Sequence, residues 1–212
     1  MNKIYILGIG PGNQDYLLTK TKDIIRKSDV LIGGKRALAM FSDFEKEKIK
    51  ITADLKKVKD YIIANYKEKR ISVLVSGDPG FYSMLSYLKK NVNKDLLEVI
   101  PGISSLQLAS ARLKMSWDDM KISSLHGKSD KNKFLKEVRE NKKLGIFTDN
   151  NFPPDQIASY LLKKGIENKN IVVFENLSYS NEKIIKGNLQ EIKDKNFGKL
   201  NVMVIYDEKM GL

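Results

Sequence analysis

Short apolar runs separated by amphipathic stretches set the rhythm of this chain. Lys3–Leu7, Val30–Ile32, Ile71–Val75 and Leu97–Ile100 are rich in Ile, Val and Leu with little alternation, the pattern of strands buried on both faces. Between them the apolar positions change to helical spacing. Leu17, Leu18, Ile24 and Ile25 share one face of a predicted helix over Tyr16–Lys27, and Val58, Ile62 and Tyr66 do the same over Lys56–Tyr66. A further helix restarts after Ser76–Gly80 and runs through Phe81, Leu85 and Leu88. Another is expected over Ile103–Leu113, where Ala109, Ser110 and Ala111 permit close packing. Strands alternating with helices predict a parallel sheet with crossover helices.

The second half carries a different mixture. Met115–Asp119 reads as a hinge, so the expected domains are residues 1–115 and 116–212. Beyond it, strands are predicted at Ile122–Leu125, Leu144–Thr148, Ile171–Glu175 and Asn201–Tyr206, with weaker strand character at Lys183–Gly187. Helices are predicted over Lys131–Glu140 and from Pro153 and Pro154 to Lys164, where Gly165 is a suitable stop. Hairpin-like spacing near the end points to a mixed sheet. The expected fold class is therefore α/β, with two α/β domains: an N-terminal one with a mostly parallel sheet and a C-terminal one with a mixed sheet.

Right-handed crossovers place every strand-to-helix loop on one edge of a parallel sheet. The turns Gly8–Gly12, Ser76–Gly80 and Pro101–Ser105 should then share one rim, where open α/β sheets bind ligands. Two familiar phosphate cradles fail on inspection. Gly8-Ile9-Gly10 has Asn13 at the third glycine position of a dinucleotide fingerprint, and Pro11 removes a backbone donor. Gly127-Lys128-Ser129 imitates the end of a phosphate-binding loop, but Ile122 stands where the earlier glycine is required. What remains on the rim is Asp78 with the hydroxyls of Ser76, Ser104 and Ser105, and no nucleophile–base pair. His126, after a strand, is either a base or a structural histidine. Asp118-Asp119 fits a helix cap or a solvated linker better than a catalytic pair.

Composition narrows the chemistry. The chain has no cysteine, so disulfides, zinc–thiolate sites and cysteine nucleophiles are excluded, and one histidine cannot build a multi-histidine metal site. Neither a signal peptide nor a spanning apolar run is visible, so a cytoplasmic protein away from the membrane is expected. The net charge of +12 invites a nucleic-acid reading. Yet the excess is lysine spread along the chain without an arginine-rich block, and clustered lysines suit an acidic small molecule equally well. A basic RNA-binding module would also need stacking platforms, and the aromatic content is 8% with no interleaved cluster. From residue types alone the chain is an α/β ligand-binding protein, read as an enzyme.

Taken together, G-I-G-P-G at Gly8–Gly12, V-S-G-D-P-G-F-Y at Val75–Tyr82 and I-P-G-I-S-S-L-Q at Ile100–Gln107 resemble the tetrapyrrole methylase family. The likeness continues through W-D-D, S-L-H-G, F-T-D and E-N-L-S-Y, so it covers essentially the whole chain. It implies two α/β domains with S-adenosylmethionine in the cleft between them, a tetrapyrrole polycarboxylate as substrate, and a homodimer. Carried over by position, the resemblance implies that Pro11, Ser76, Gly77, Asp78 and Phe81 hold the cofactor, with Ser104 and Ser105 contacting it next. Thr148 and Leu177 match positions that close over its adenosine, where more distant members hold Met and Gly. On the substrate side stand Gly10, Lys35, Arg36, Arg112 and His126, with Lys128 a further cation for the ring carboxylates. The decarboxylating carbon-15 methyltransferase domain of some larger relatives finds no room here, so a separate protein is expected to supply it. Other methylases of the same fold, acting on uroporphyrinogen, another corrin carbon, a diphthamide precursor or ribosomal RNA, are the alternatives.

Overall fold

The computed structural model describes residues 3–125, 127 and 130–210, and the chain divides into two compact units, Met1–Ser104 and Ser105–Leu212. The first contains β1 (Ile4–Gly8), α1 (Thr19–Lys27), β2 (Val30–Gly33), α2 (Lys35–Ala39), β3 (Glu47–Lys50), α3 (Leu55–Asn65), β4 (Ile71–Val75), α4 (Met84–Asn91) and β5 (Leu97–Ile100). Its five strands are parallel in the order β3-β2-β4-β1-β5.

The period of two in a strand sorts the apolar residues onto two faces. Ile4, Ile6, Val30, Ile32, Ile71 and Val73 pack on one side with Val58 and Ile62 of α3 and Leu88 of α4. Leu7, Leu31 and Leu74 pack on the other with Ile25 of α1 and Ala37 of α2. Each such side chain contributes about 1.5–3 kcal/mol when fully buried, so the central strands anchor the unit. Ser72, an apparent break in the β4 pattern, is buried and bonded to the Ser28 hydroxyl at 2.7 Å, which satisfies both groups.

Sequence reading and structure part at the edges. β3 (Glu47–Lys50) has only Ile49 even half-buried; a charged edge strand lacks an apolar signature because one of its sides faces water. The first helix begins at Thr19, because Gln14–Tyr16 forms a 3₁₀ turn capped by Asn13. The helix expected through Phe81 starts at Met84, where Ser83 accepts the Leu85 amide.

The second unit contains α5 (Ser105–Leu113), β6 (Lys121–Ser124), α6 (Lys131–Glu140), β7 (Lys143–Phe147), α7 (Pro154–Lys163), β8 (Lys169–Glu175), β9 (Lys183–Asn188), α8 (Leu189–Lys193) and β10 (Asn201–Asp207). Its sheet runs β6-β7-β10-β8-β9, with β6 and β7 parallel and the other pairings antiparallel. Leu144, Ile146, Ile171, Val173, Met203 and Ile205 form one apolar face under α6, α7 and α8. α8 was not expected, although Asn188 and Glu191 cap each other's amides at 2.9 Å, a pairing whose three-residue spacing is legible in sequence. The division between units falls at Ser104/Ser105, earlier than the expected hinge at Met115. The physical reason is α5: Leu106 and Met120 crowd the space over Gly145 of β7, so this helix packs against the second sheet. Among the described residues no helix is long and apolar enough to cross a membrane.

Candidate functional site

β4, β1 and β5 are neighbours that end level, with Gly8 opposite Val75 and Leu7 opposite Ile100. Their following turns therefore meet on one edge, as the crossover rule requires. The junction is made of backbone. A Cβ on Gly8 would sit 2.5 Å from the Gly102 nitrogen and 2.8 Å from the Gly77 oxygen, and one on Gly102 would sit 2.7 Å from the Gly8 carbonyl carbon. Only glycine admits three chains so close. Gly10 and Gly77 then pair across the gap, with the Gly10 amide donating to Gly77 at 3.3 Å and the Gly77 amide donating back at 2.7 Å. Both adopt left-handed backbone, φ 74° and 68°.

Asp78 locks this junction. One carboxylate oxygen accepts the Gly80 amide at 2.7 Å and the other accepts the Gly102 amide at 3.0 Å, tying the second turn to the third. Charge-assisted acceptors of this kind are among the stronger hydrogen bonds, and the carboxylate keeps lone pairs for a ligand. Ser76 is exposed, Pro11, Gly77 and Phe81 are half-buried, and Ser104 is buried at the end of the third turn. Phe81 donates its amide to the Asp78 carbonyl, and Tyr82 beyond it stands 61% exposed at φ 45°. A left-handed tyrosine is uncommon. Nothing in the sequence distinguished it from an ordinary helix start.

Lys35 and Arg36 open α2 after β2, whose register with β4 places them on this same edge. Both are exposed and neither has an ion-pair partner among the described residues.

In the second unit the ends of β6, β7 and β8 and the start of β10 share one edge, because β10 runs antiparallel to β7 and β8. Here side chains hold the loops. The Thr148 hydroxyl lies 2.7 Å from the Asn201 carbonyl oxygen and 2.6 Å from its side-chain oxygen. Glu175, buried at the end of β8, accepts the Gly198 amide. Asn176 and Ser178 are left-handed, φ 48° and 76°, and present Leu177 between them, 5% exposed. Asp119 pairs with Lys143 at the opposite end of β7, about 16 Å of strand away from Thr148 at roughly 3.3 Å per residue. Asp118 is held by Ser116, which keeps its carboxyl below the usual range. Both aspartates belong to a connecting turn.

The tetrapyrrole (corrin/porphyrin) methylases match this sequence over residues 3–193. The chain belongs to that family. Among its relatives, the probable cobalt-precorrin-7 C(5)-methyltransferase of Methanocaldococcus jannaschii is 42% identical over 95% of this chain and 96% of that protein. The cobalt-precorrin-7 C(5)-methyltransferase of Salmonella typhimurium is 32% identical over 84% of this chain and 87% of its own length. The fold is that of uroporphyrin-III C-methyltransferase from Thermus thermophilus, solved with S-adenosylhomocysteine (TM-score 0.77, 16% identity, covering 97% and 92% of the two chains).

This methylase uses S-adenosylmethionine. The first unit's edge carries the exposed Ser76 and the carboxylate of Asp78, while the backbone of Gly77 is already paired with Gly10. Of the residues expected on the substrate side, Gly10 is buried in the glycine pairing. Arg112 is paired within the protein, its Nε 2.8 Å from Glu182. His126 and Lys128 lie outside the described residues. Sequence reasoning missed Glu175, Glu182 and Asn201 because their partners are distant along the chain.

Proposed function

We propose that this methylase transfers a methyl group from S-adenosylmethionine to carbon 5 of cobalt-precorrin-7, or of its metal-free counterpart, during corrin-ring assembly. The observation that carries the reading is the 42% identity, over nearly the full length of both chains, to a relative named for that reaction. When bound, the cofactor supplies a methyl group already activated by its sulfonium. The protein's task is then orientation, which is worth roughly 7–11 kcal/mol of barrier when both partners are held in line.

In the first unit the residues assigned to the cofactor are Pro11, Ser76, Gly77, Asp78, Phe81 and Ser104; in the second they are Ser105, Thr148 and Leu177. Asp78 does so in two ways: it fixes the Gly80 and Gly102 amides, and its negative charge favours a cationic ligand. Because Thr148 spends its proton on Asn201, it meets the cofactor through its methyl group and backbone. Lys35 and Arg36, exposed and without an ion-pair partner among the described residues, receive the substrate carboxylates. Arg36→Ala should raise the substrate KM several-fold and leave the cofactor constant unchanged, consistent with a contact worth about 1 kcal/mol. The protein acts as a cytoplasmic homodimer, without nucleic acid or membrane.

The deciding experiment incubates the protein with cobalt-precorrin-7 and ¹³C-methyl donor and locates the new methyl by NMR. A methyl on carbon 5 supports the reading. A methyl elsewhere, or no transfer, overturns it.

A further inference from the structure

The loop that follows β8 turns left-handed at two residues, readily at Asn176 and against preference at Ser178. Asn176 and Ser178, neither of them glycine, hold φ values of 48° and 76° on either side of Leu177. The conformation at Ser178 persists only where the surroundings enforce it. The Asn176 amide donates to the Leu200 carbonyl at 3.0 Å and so ties one end of the loop to the segment before β10. The other end is tied by Glu182. One of its carboxylate oxygens accepts the Ser178 amide at 2.7 Å, next to the left-handed turn. The other accepts from Arg112 Nε at 2.8 Å, with the terminal nitrogen 3.4 Å from the first.

Arg112 stands in the last turn of α5, 70 residues from Glu182. The Glu182 side chain is 18% exposed and that of Arg112 37%, so the pair is screened less than a surface pair. The Arg112 guanidinium holds the Glu182 carboxyl below the usual carboxylate range. The carboxylate thus stays charged where it must accept an amide. With Arg112 removed, an almost buried carboxylate would lose its counter-charge, and its grip on Ser178 would weaken.

We propose that Arg112 and Glu182 are positioning residues: a strap from α5 that holds Asn176–Ser178 in its strained form and so sets Leu177 for cofactor binding. The proposal rests on the cofactor reading given above. It also gives Arg112 a task different from meeting a substrate carboxylate, and the two tasks separate experimentally. If the strap is correct, the same helix that packs on the second sheet tunes affinity for the methyl donor.

The test is calorimetric binding of S-adenosylhomocysteine to the full chain and to Arg112→Ala, Glu182→Ala, the double variant and Arg112→Lys, alongside amide exchange and substrate kinetics. Each alanine variant should bind about tenfold more weakly, and the double variant should be no weaker than either single one, as expected for residues acting as one unit. Arg112→Lys should recover part of the loss. Exchange should quicken at 176–182 and remain unchanged in β7, β8 and β10, which a global loss of stability would not produce. Additive losses, or wild-type affinity in both alanine variants, overturn the strap. So does a raised substrate KM for Arg112→Ala with cofactor affinity intact, which would return Arg112 to the substrate. If the unaltered protein fails to bind S-adenosylhomocysteine, the cofactor reading itself falls. Quickened exchange at 176–182 in the variants would then leave the strap as a conformational device alone, and its stated role would be wrong.

Discussion

The loop-bearing edges of the two units are held by different means. In the first, Gly8, Gly77 and Gly102 meet backbone to backbone, and one carboxylate, Asp78, joins two of the turns. In the second, side-chain clamps do the same work: Thr148 with Asn201, Glu175 with Gly198, and Glu182 with both Arg112 and Ser178. A parallel sheet brings its strand ends to one level, so neighbouring turns can pack through glycine alone. A mixed sheet brings together a strand end and a strand start, whose loops leave in different directions and need side chains to bridge them. A backbone junction tolerates almost no substitution. A clamp can be weakened by degrees.

That contrast is easiest to break at Gly102. A Cβ there meets backbone atoms of Gly8 and Gly77, which have no flexible end to move aside. Gly102→Ala should cost about 3 kcal/mol or more, read as a large fall in the calorimetric Tm. A Tm within a degree or two of the parent would show that the junction is slack.

Asp78→Ala comes next. It strands two amides, and unsatisfied groups cost about 1–3 kcal/mol each when buried; the Gly80 amide is exposed and can turn to water while Gly102 is half-buried, so a loss of about 2 kcal/mol in urea unfolding is expected. S-adenosylhomocysteine binding should fall at least tenfold in the same variant. Unchanged stability would mean that the glycines hold the turns without the carboxylate.

Thr148→Val keeps shape and removes one hydroxyl from Asn201, so the expected loss is about 1 kcal/mol by chemical denaturation, with a modest rise in the cofactor constant. An effect as large as that of Gly102→Ala would erase the distinction between the two edges.

The smallest effect is in the acid range. Glu182 has its folded pKa lowered from 4.5, first by Arg112. A carboxylate lowered on folding adds stability that is fully present above its unfolded value and is lost as pH falls through the folded one. Glu182→Gln should therefore be destabilised most at neutral pH and converge on the parent below pH 4.5, in unfolding curves taken across that range. A constant difference down to the lowest pH would assign the loss to packing.

Much of the first unit was legible in the sequence because its information is local. Ile71–Val75 and Leu97–Ile100 were placed to the residue, and the glycine and proline clusters after them marked the turns. The charged β3 was not, since an edge strand obeys solubility more than burial. In the second unit Lys131–Glu140 was placed to the residue, and Gly165 at φ 74° ends α7 as its position suggested. Glu175, Glu182 and Asn201 offered no such signal. They read as ordinary polar residues until folding brings them to partners 23, 70 and 53 positions away.

The sequence by itself determined the alternation of strands and helices, the level of the first three turns and the family. These follow from periodicity, from right-handed crossovers and from motifs a few residues long. Tertiary structure alone decided that α5 belongs with the second sheet, that Asp78 spends both oxygens on amides, and that Arg112 already has a carboxylate partner. Such choices depend on which surfaces remain to be covered once the sheets exist, and a linear string of residues does not carry that information.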